Sequence, residues 1–180
     1  MTAVPHRAAP VKDEPAPEPA PAALRVGHVH LKVADLERSI AFYRDVLGLD
    51  VIQRDPSGRM AFLSAGGYHH HLGLNTFDSL GGTPPAAGHT GLYHVAFAYP
   101  DRKALARAYR RVVDHGVAIR AASDHGVSEA IYFADPDGNG VEIYRDCPPE
   151  HWDYTEDGIL NVAMSVPFDP ATLLAELDAR

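Results

Sequence analysis

Three consecutive histidines, His69, His70 and His71, stand in the stretch GGYHHHLGLN (66–75), and others stand at positions 28, 30, 94 and 125. Imidazole is the commonest metal ligand in proteins and the side chain that titrates nearest neutrality, so the set suits metal binding or proton transfer. The choice depends on which histidines share a face. Alternate residues of a strand do so. In GHVHLKV (27–33) the apolar Val29, Leu31 and Val33 leave His28, His30 and Lys32 on the other side. In YHVAFAY (93–99) Val95, Phe97 and Tyr99 oppose His94, Ala96 and Ala98. The same parity puts His70 on the apolar side with Leu72 and Leu74, and His69, His71, Gly73 and Asn75 on the polar side. Near the C-terminus it sends Tyr132 and Glu142 to the polar side, against Ile131, Phe133, Val141 and Ile143.

The polar faces thus collect His28, His30, His69, His71, His94, Tyr132 and Glu142. Two imidazoles and one carboxylate on a rigid sheet, with positions left open, are what a non-haem Fe(II) centre that binds oxygen needs. His28 and His94 begin equivalent strands and Glu142 lies in the last one, which makes these three the expected metal ligands. An unpaired carboxylate in a sheet-lined cavity is costly, and coordination offsets the cost. Plainer roles compete. A single inward His is more often a hydrogen-bonded structural residue, Tyr132 has a core role available, and Glu142 has Arg145 as an alternative partner. Repetition of one His at the same place in each half favours metal. The DPDGNG turn (135–140) lacks the ligand series of a calcium loop and reads as a hairpin.

The elements that must carry these residues occur twice. After the strand at His28, Asp35 is placed to cap a helix with the stripe Leu36, Ile40, Tyr43 and Leu47, closed by Gly48. After His94, Asp101, the stripe Leu105, Tyr109 and Val112, and Gly116 repeat the design. About three short apolar runs follow each helix. The expected fold is α+β: two tandem βαβββ modules, helices outside, forming a concave, partly open mixed sheet around a metal site.

The chain's 180 residues, 46% hydrophobic and 22% charged, suffice for one globular domain with a real core. A formal charge of −8 argues against attraction to nucleic acid or anionic lipid. The single Cys147 rules out an intrachain disulfide and fits a reducing compartment. No apolar run approaches the ~20 residues of a membrane span, and the N-terminus lacks a signal-peptide core. A cytoplasmic protein without nucleic-acid or membrane partners is expected. Residues 1–23, rich in Pro and Ala, read as a disordered tail; the folded domain spans 24–146, with module one at about 24–80 and module two at about 91–146. Residues 147–180 read as a flap or dimer contact, with Asp169 and Pro170 opening a helix for Leu173, Leu174 and Leu177. The stretch 77–91 reads as a mobile lid, with His89 a candidate substrate contact.

At GHVHLKVADLERSIAFYRDVLGL, GGYHHHLGLN, TGLYHVAF and DHGVSEAIYFADPDGNGVEIYRD the chain resembles the vicinal oxygen chelate superfamily, and within it the two-module catechol 2,3-dioxygenase-like proteins. The resemblance implies metal ligands from the first strand of each module and the last strand of the second, the places of His28, His94 and Glu142. It further implies that His71 accepts a proton from a catechol, while Tyr132 and His125 position a substrate oxygen and donate a proton. His70 replaces His71 if a bulge shifts the strand. The implied activity is extradiol cleavage of a small aromatic diol by O2 at Fe(II) or Mn(II), in a homo-oligomer. Glyoxalase-type isomerases carry a metal-binding Glu where this chain has His71. Thiol transferases share the three ligands but call for a more basic pocket. A metal-free binding protein has no reason to keep all three.

Overall fold

The computed structural model describes residues 18–163 and 166–178, so the expected tail, apart from the exposed residues 18–23, lies outside the described residues. Strand β1 (Val29–Lys32) leads into helix α1 (Leu36–Asp45), followed by β2 (Asp50–Arg54), β3 (Met60–Ser64) and β4 (Leu72–Asn75). The order recurs as β5 (Val95–Ala98), α2 (Arg102–Asp114), β6 (Ala121–Asp124), β7 (Ser128–Ala134) and β8 (Gly140–Asp146). The fold is α+β, with two βαβββ modules. Each helix begins at its expected cap: the Asp35 carboxylate accepts from Arg38 N at 3.1 Å, and that of Asp101 from Ala104 N at 2.7 Å. These bonds satisfy N–H groups that the first helical turn leaves unpaired. Gly48 and Gly116 close the helices at φ +78° and +66°, where a side chain would be strained.

Each module has its own open mixed sheet. The first runs β1-β4-β3-β2 and the second β5-β8-β7-β6, in both cases with the first pair parallel and the rest antiparallel. A short strand β9 (Val166–Pro167), from the C-terminal extension, adds antiparallel to β6. Beyond it a 3-10 segment, Pro170–Leu177, starts at its Asp169 cap and packs on α2 with Leu173 buried. Helix α1 lies on β2, β3 and β4, and α2 on β8. Among the described residues no helix is long and apolar enough to cross a membrane.

Both sheets give their apolar faces to one core, which joins Leu31, Leu63, Leu72 and Leu74 to Ile131, Phe133, Val141 and Ile143 through Ile40, Leu105 and Val112. The faces that carry the candidate site residues therefore point away from that core. Polar contacts fix the modules further. The Tyr43 hydroxyl donates to Asp135 Oδ2 at 2.9 Å, and Asp137 Oδ2 accepts from Ala34 N at 3.1 Å, so the DPDGNG turn of module two grips α1 of module one. Arg111 reaches back to the Val46 and Leu47 carbonyls at 3.1 and 3.0 Å. Burial and the neighbouring Asp135 push the Tyr43 phenol well above its ordinary pKa, which keeps it a donor. Tyr43→Phe keeps the ring and removes that donor from a buried carboxylate; we expect a loss of ~1–3 kcal/mol, seen as a shift of the urea midpoint without change of slope.

Candidate metal centre

Strand register in the second sheet assembles one half of the site. Tyr132 lies opposite Glu142 across the β7–β8 ladder, and Ala96 lies beside Glu142 across β5–β8. His94 precedes Val95, the partner of Val141, and so comes level with Gly140. A Cβ on Gly140 would lie 2.1 Å from the Tyr93 carbonyl oxygen and 3.0 Å from His94 Cβ. Only glycine allows that approach.

The side chains then form a chain of contacts. His94 Nε2 lies 3.0 Å from Glu142 Oε2, the Tyr132 hydroxyl donates to Glu142 Oε1 at 3.2 Å, and His125 Nε2 is 2.9 Å from that hydroxyl. His125 Nδ1 in turn lies 2.6 Å from the Ala163 carbonyl oxygen. Glu142 is 8% exposed, so each of its oxygens is met inside the protein. Arg145, the plainer partner for Glu142, bonds instead to Glu129 at 2.9 Å. Burial, and then the Glu142 carboxylate, push the Tyr132 phenol up to about 12, so it stays protonated at neutral pH.

Module one presents the other half. The Val29 N–H donates to the His71 carbonyl at 3.1 Å and the His71 N–H to Leu63 O at 3.0 Å, which extends the ladder one residue beyond β4. His71 Nδ1 faces Ser64 Oγ at 2.9 Å and accepts from Ala65 N at 3.3 Å. His28 lies against His70, with ring centroids 4.4 Å apart, and His70 stacks on Phe62 at 4.3 Å. This corrects the expected placement of His70 on the apolar side. Alternation holds only within a ladder, and His70 lies in irregular chain between bends at His69 and His71, where the chain turns its ring onto the face that holds Phe62 and His30. Burial, and then His28 and the other histidines, lower the His70 pKa; burial and then His28 lower that of His30. An open cavity of about 420 Å³ beside His71 is lined by Arg25, Gly27 and Tyr68 among others. His89 lies in the exposed loop, its Nδ1 2.9 Å from the Ala86 carbonyl oxygen.

His94 and Glu142 fit a divalent ion. With metal–ligand bonds of about 2.1 Å, two donors at right angles stand about 3.0 Å apart, the separation of Nε2 and Oε2 in this pair. The chain alone does not complete the set. Among the described residues no three His, Cys, Asp or Glu side chains are grouped so as to hold an ion. His28 remains with the module-one histidines. The other contributors are Ser64, which acts through its hydroxyl at the end of β3, Gly140, which lacks a Cβ at the start of β8, and the Ala163 carbonyl.

Residues 25–143 match the family model of the Glyoxalase/Bleomycin resistance protein/Dioxygenase superfamily. The chain is 42% identical over 133 residues to a catechol-2,3-dioxygenase of Bacillus subtilis (strain 168), covering 74% of this chain and 45% of that protein. It is 36% identical over 135 residues to biphenyl-2,3-diol 1,2-dioxygenase 3 of Rhodococcus globerulus, covering 72% and 69%. The chain thus spans under half the length of the Bacillus protein. A solved glyoxalase/dioxygenase structure from Nostoc punctiforme superposes with a TM-score of 0.59 at 28% identity, over 72% of this chain and 96% of that one.

The close approach at Gly140 gives a direct test. Gly140→Ala should push the start of β5 and the His94 ring away from Glu142, reducing divalent-metal affinity by about tenfold or more in calorimetric titration. Gly91→Ala, at an exposed position with open space around its Cβ and no positive φ, should leave that affinity unchanged.

Proposed function

Since the chain belongs to the Glyoxalase/Bleomycin resistance protein/Dioxygenase superfamily, we propose that it is an extradiol ring-cleaving dioxygenase of aromatic catabolism, cytoplasmic, acting on a catechol-type diol with O2. The metal is Fe(II) or Mn(II), held by His28, His94 and Glu142. The observation that carries this reading is the continuous contact from His94 through Glu142 and Tyr132 to His125, which joins a ligand pair to groups able to move a proton. A bound ion would acidify the diol's two oxygens and hold diol and O2 together, which removes much of the entropic barrier. The protein's own part is orientation and proton handling. The Tyr132 hydroxyl, fixed between Glu142 and His125, stands where a substrate oxygen would lie beside the ligands. His71, braced by Ser64 and Ala65, stands on the module-one face. Histidine at this place, instead of a carboxylate as the fourth ligand, favours the dioxygenase over the isomerase reading.

The protein would work as a homo-oligomer, His28 of one copy closing on the His94–Glu142 pair of another. Support comes from the shared core, which turns both site-bearing faces outward, and from β1 and β5, each paired on one side alone among the described residues. A two-fold dimer would then contain two equivalent sites.

The primary test is anaerobic loading with Fe(II), then addition of catechol and air. Oxygen uptake with a coloured ring-opened product is the expected result; tight metal binding without uptake across several catechols would reject the dioxygenase reading. Sharing of the site is tested by complementation. His28→Ala and Glu142→Gln should each be inactive alone, and a 1:1 mixture after subunit exchange should regain about a quarter of wild-type activity, since half the dimers then hold one intact site of two. Sites built within single chains would regain none.

A further inference from the structure

We infer that backbone groups lock His71 and His125 in opposite neutral tautomers, so that His125, through Tyr132, accepts the substrate proton while His71 only donates a hydrogen bond. The inference rests on the dioxygenase reading and reverses the proton roles that the family resemblance implies.

The peptide group has a fixed polarity: its N–H donates and its C=O accepts. His71 Nδ1 accepts the Ala65 N–H at 3.3 Å and lies 2.9 Å from the Ser64 hydroxyl. That nitrogen therefore carries no proton, and a neutral His71 ring keeps its proton on Nε2. Such a ring offers no lone pair to a substrate hydroxyl. His125 is the mirror case. Its Nδ1 lies 2.6 Å from the Ala163 carbonyl oxygen, which has no proton to give, so Nδ1 holds the proton and Nε2 is bare. Ala163 is clamped twice, since its own N–H donates to the His125 carbonyl at 3.0 Å. The C-terminal extension thus supplies the positioning group for this ring.

The bare Nε2 faces the Tyr132 hydroxyl at 2.9 Å, closer than Glu142 Oε1 at 3.2 Å. The phenol has one proton and two acceptors. Standing between His125 Nε2 and Glu142 Oε1, the Tyr132 hydroxyl is a bridge. A diol O–H gives its proton to Tyr132 Oη as the tyrosine proton passes to His125 Nε2. The phenol is restored, the substrate carries one negative charge, and the imidazolium carries one positive charge against the Ala163 carbonyl.

The test has two arms on the full-length chain. In the first, long-range ¹H–¹⁵N correlation spectra of ¹⁵N-histidine-labelled, metal-free protein are recorded above the imidazole titration range, with peaks assigned by loss in His71→Gln and His125→Gln. The expected result is an Nε2–H signal for His71 and an Nδ1–H signal for His125; the reverse for either ring, or averaging between forms, overturns the inference. Ala163→Pro, which removes one clamp and touches neither ring, should give His125 a mixed signal, and an unchanged single tautomer would refute the role of the extension. In the second arm, Fe(II)-loaded protein is mixed without oxygen with 4-nitrocatechol, whose visible absorption reports loss of its phenolic protons. His71→Gln should still ionise the bound probe and His125→Gln should lose that absorbance; the opposite pattern overturns the acceptor role. Wild-type protein that leaves the probe unbound would overturn the dioxygenase reading instead, while the tautomer spectra would still decide the locking.

Discussion

A carboxylate in a central strand, with 8% of its surface exposed, stays there only if its charge is met from within. Glu142 imposes that condition on module two. One oxygen faces His94 and the other accepts from the Tyr132 hydroxyl, so His94 must stand just before β5, Tyr132 must stand across the ladder in β7, and residue 140 must lack a Cβ. Bonds of this kind strengthen one another where water is scarce. The burial that makes the glutamate expensive also makes its partners well placed.

Much of this was legible in the sequence, and the boundary of legibility has a physical cause. Strands alternate and helices cap, so Asp35, Asp101, Gly48 and Gly116 could be placed from the chain alone, as could the shared face of Tyr132 and Glu142. Alternation ends where the ladder ends. His70 was assigned to the wrong side because the chain bends before β4, and a bend has no parity. The relation of His28 to His94 lay beyond sequence patterns of any period, since it depends on how two sheets pack and not on how one strand pleats. The Ala163 carbonyl was invisible for a different reason: every residue has one, so its use leaves no trace in side-chain identity.

The two modules share a plan but divide the chemistry unequally. Module one contributes imidazoles without a carboxylate among them, and burial with like neighbours holds His30 and His70 below their ordinary pKa values. Module two contributes the negative charge and the phenol.

The edge strand β9 and the residues just before it bear on how the protein is made. A chain leaves the ribosome from its N-terminus, so module one and then the β5–β8 ladder can form while the segment around Ala163 is still unsynthesised. His94, Tyr132 and Glu142 would meet first, and the His125 ring would remain free to take either tautomer. Its orientation is settled only when the extension arrives and pairs with β6. The tautomer proposed for His125 therefore depends on a segment that is synthesised after every residue of the His94–Glu142–Tyr132 contact.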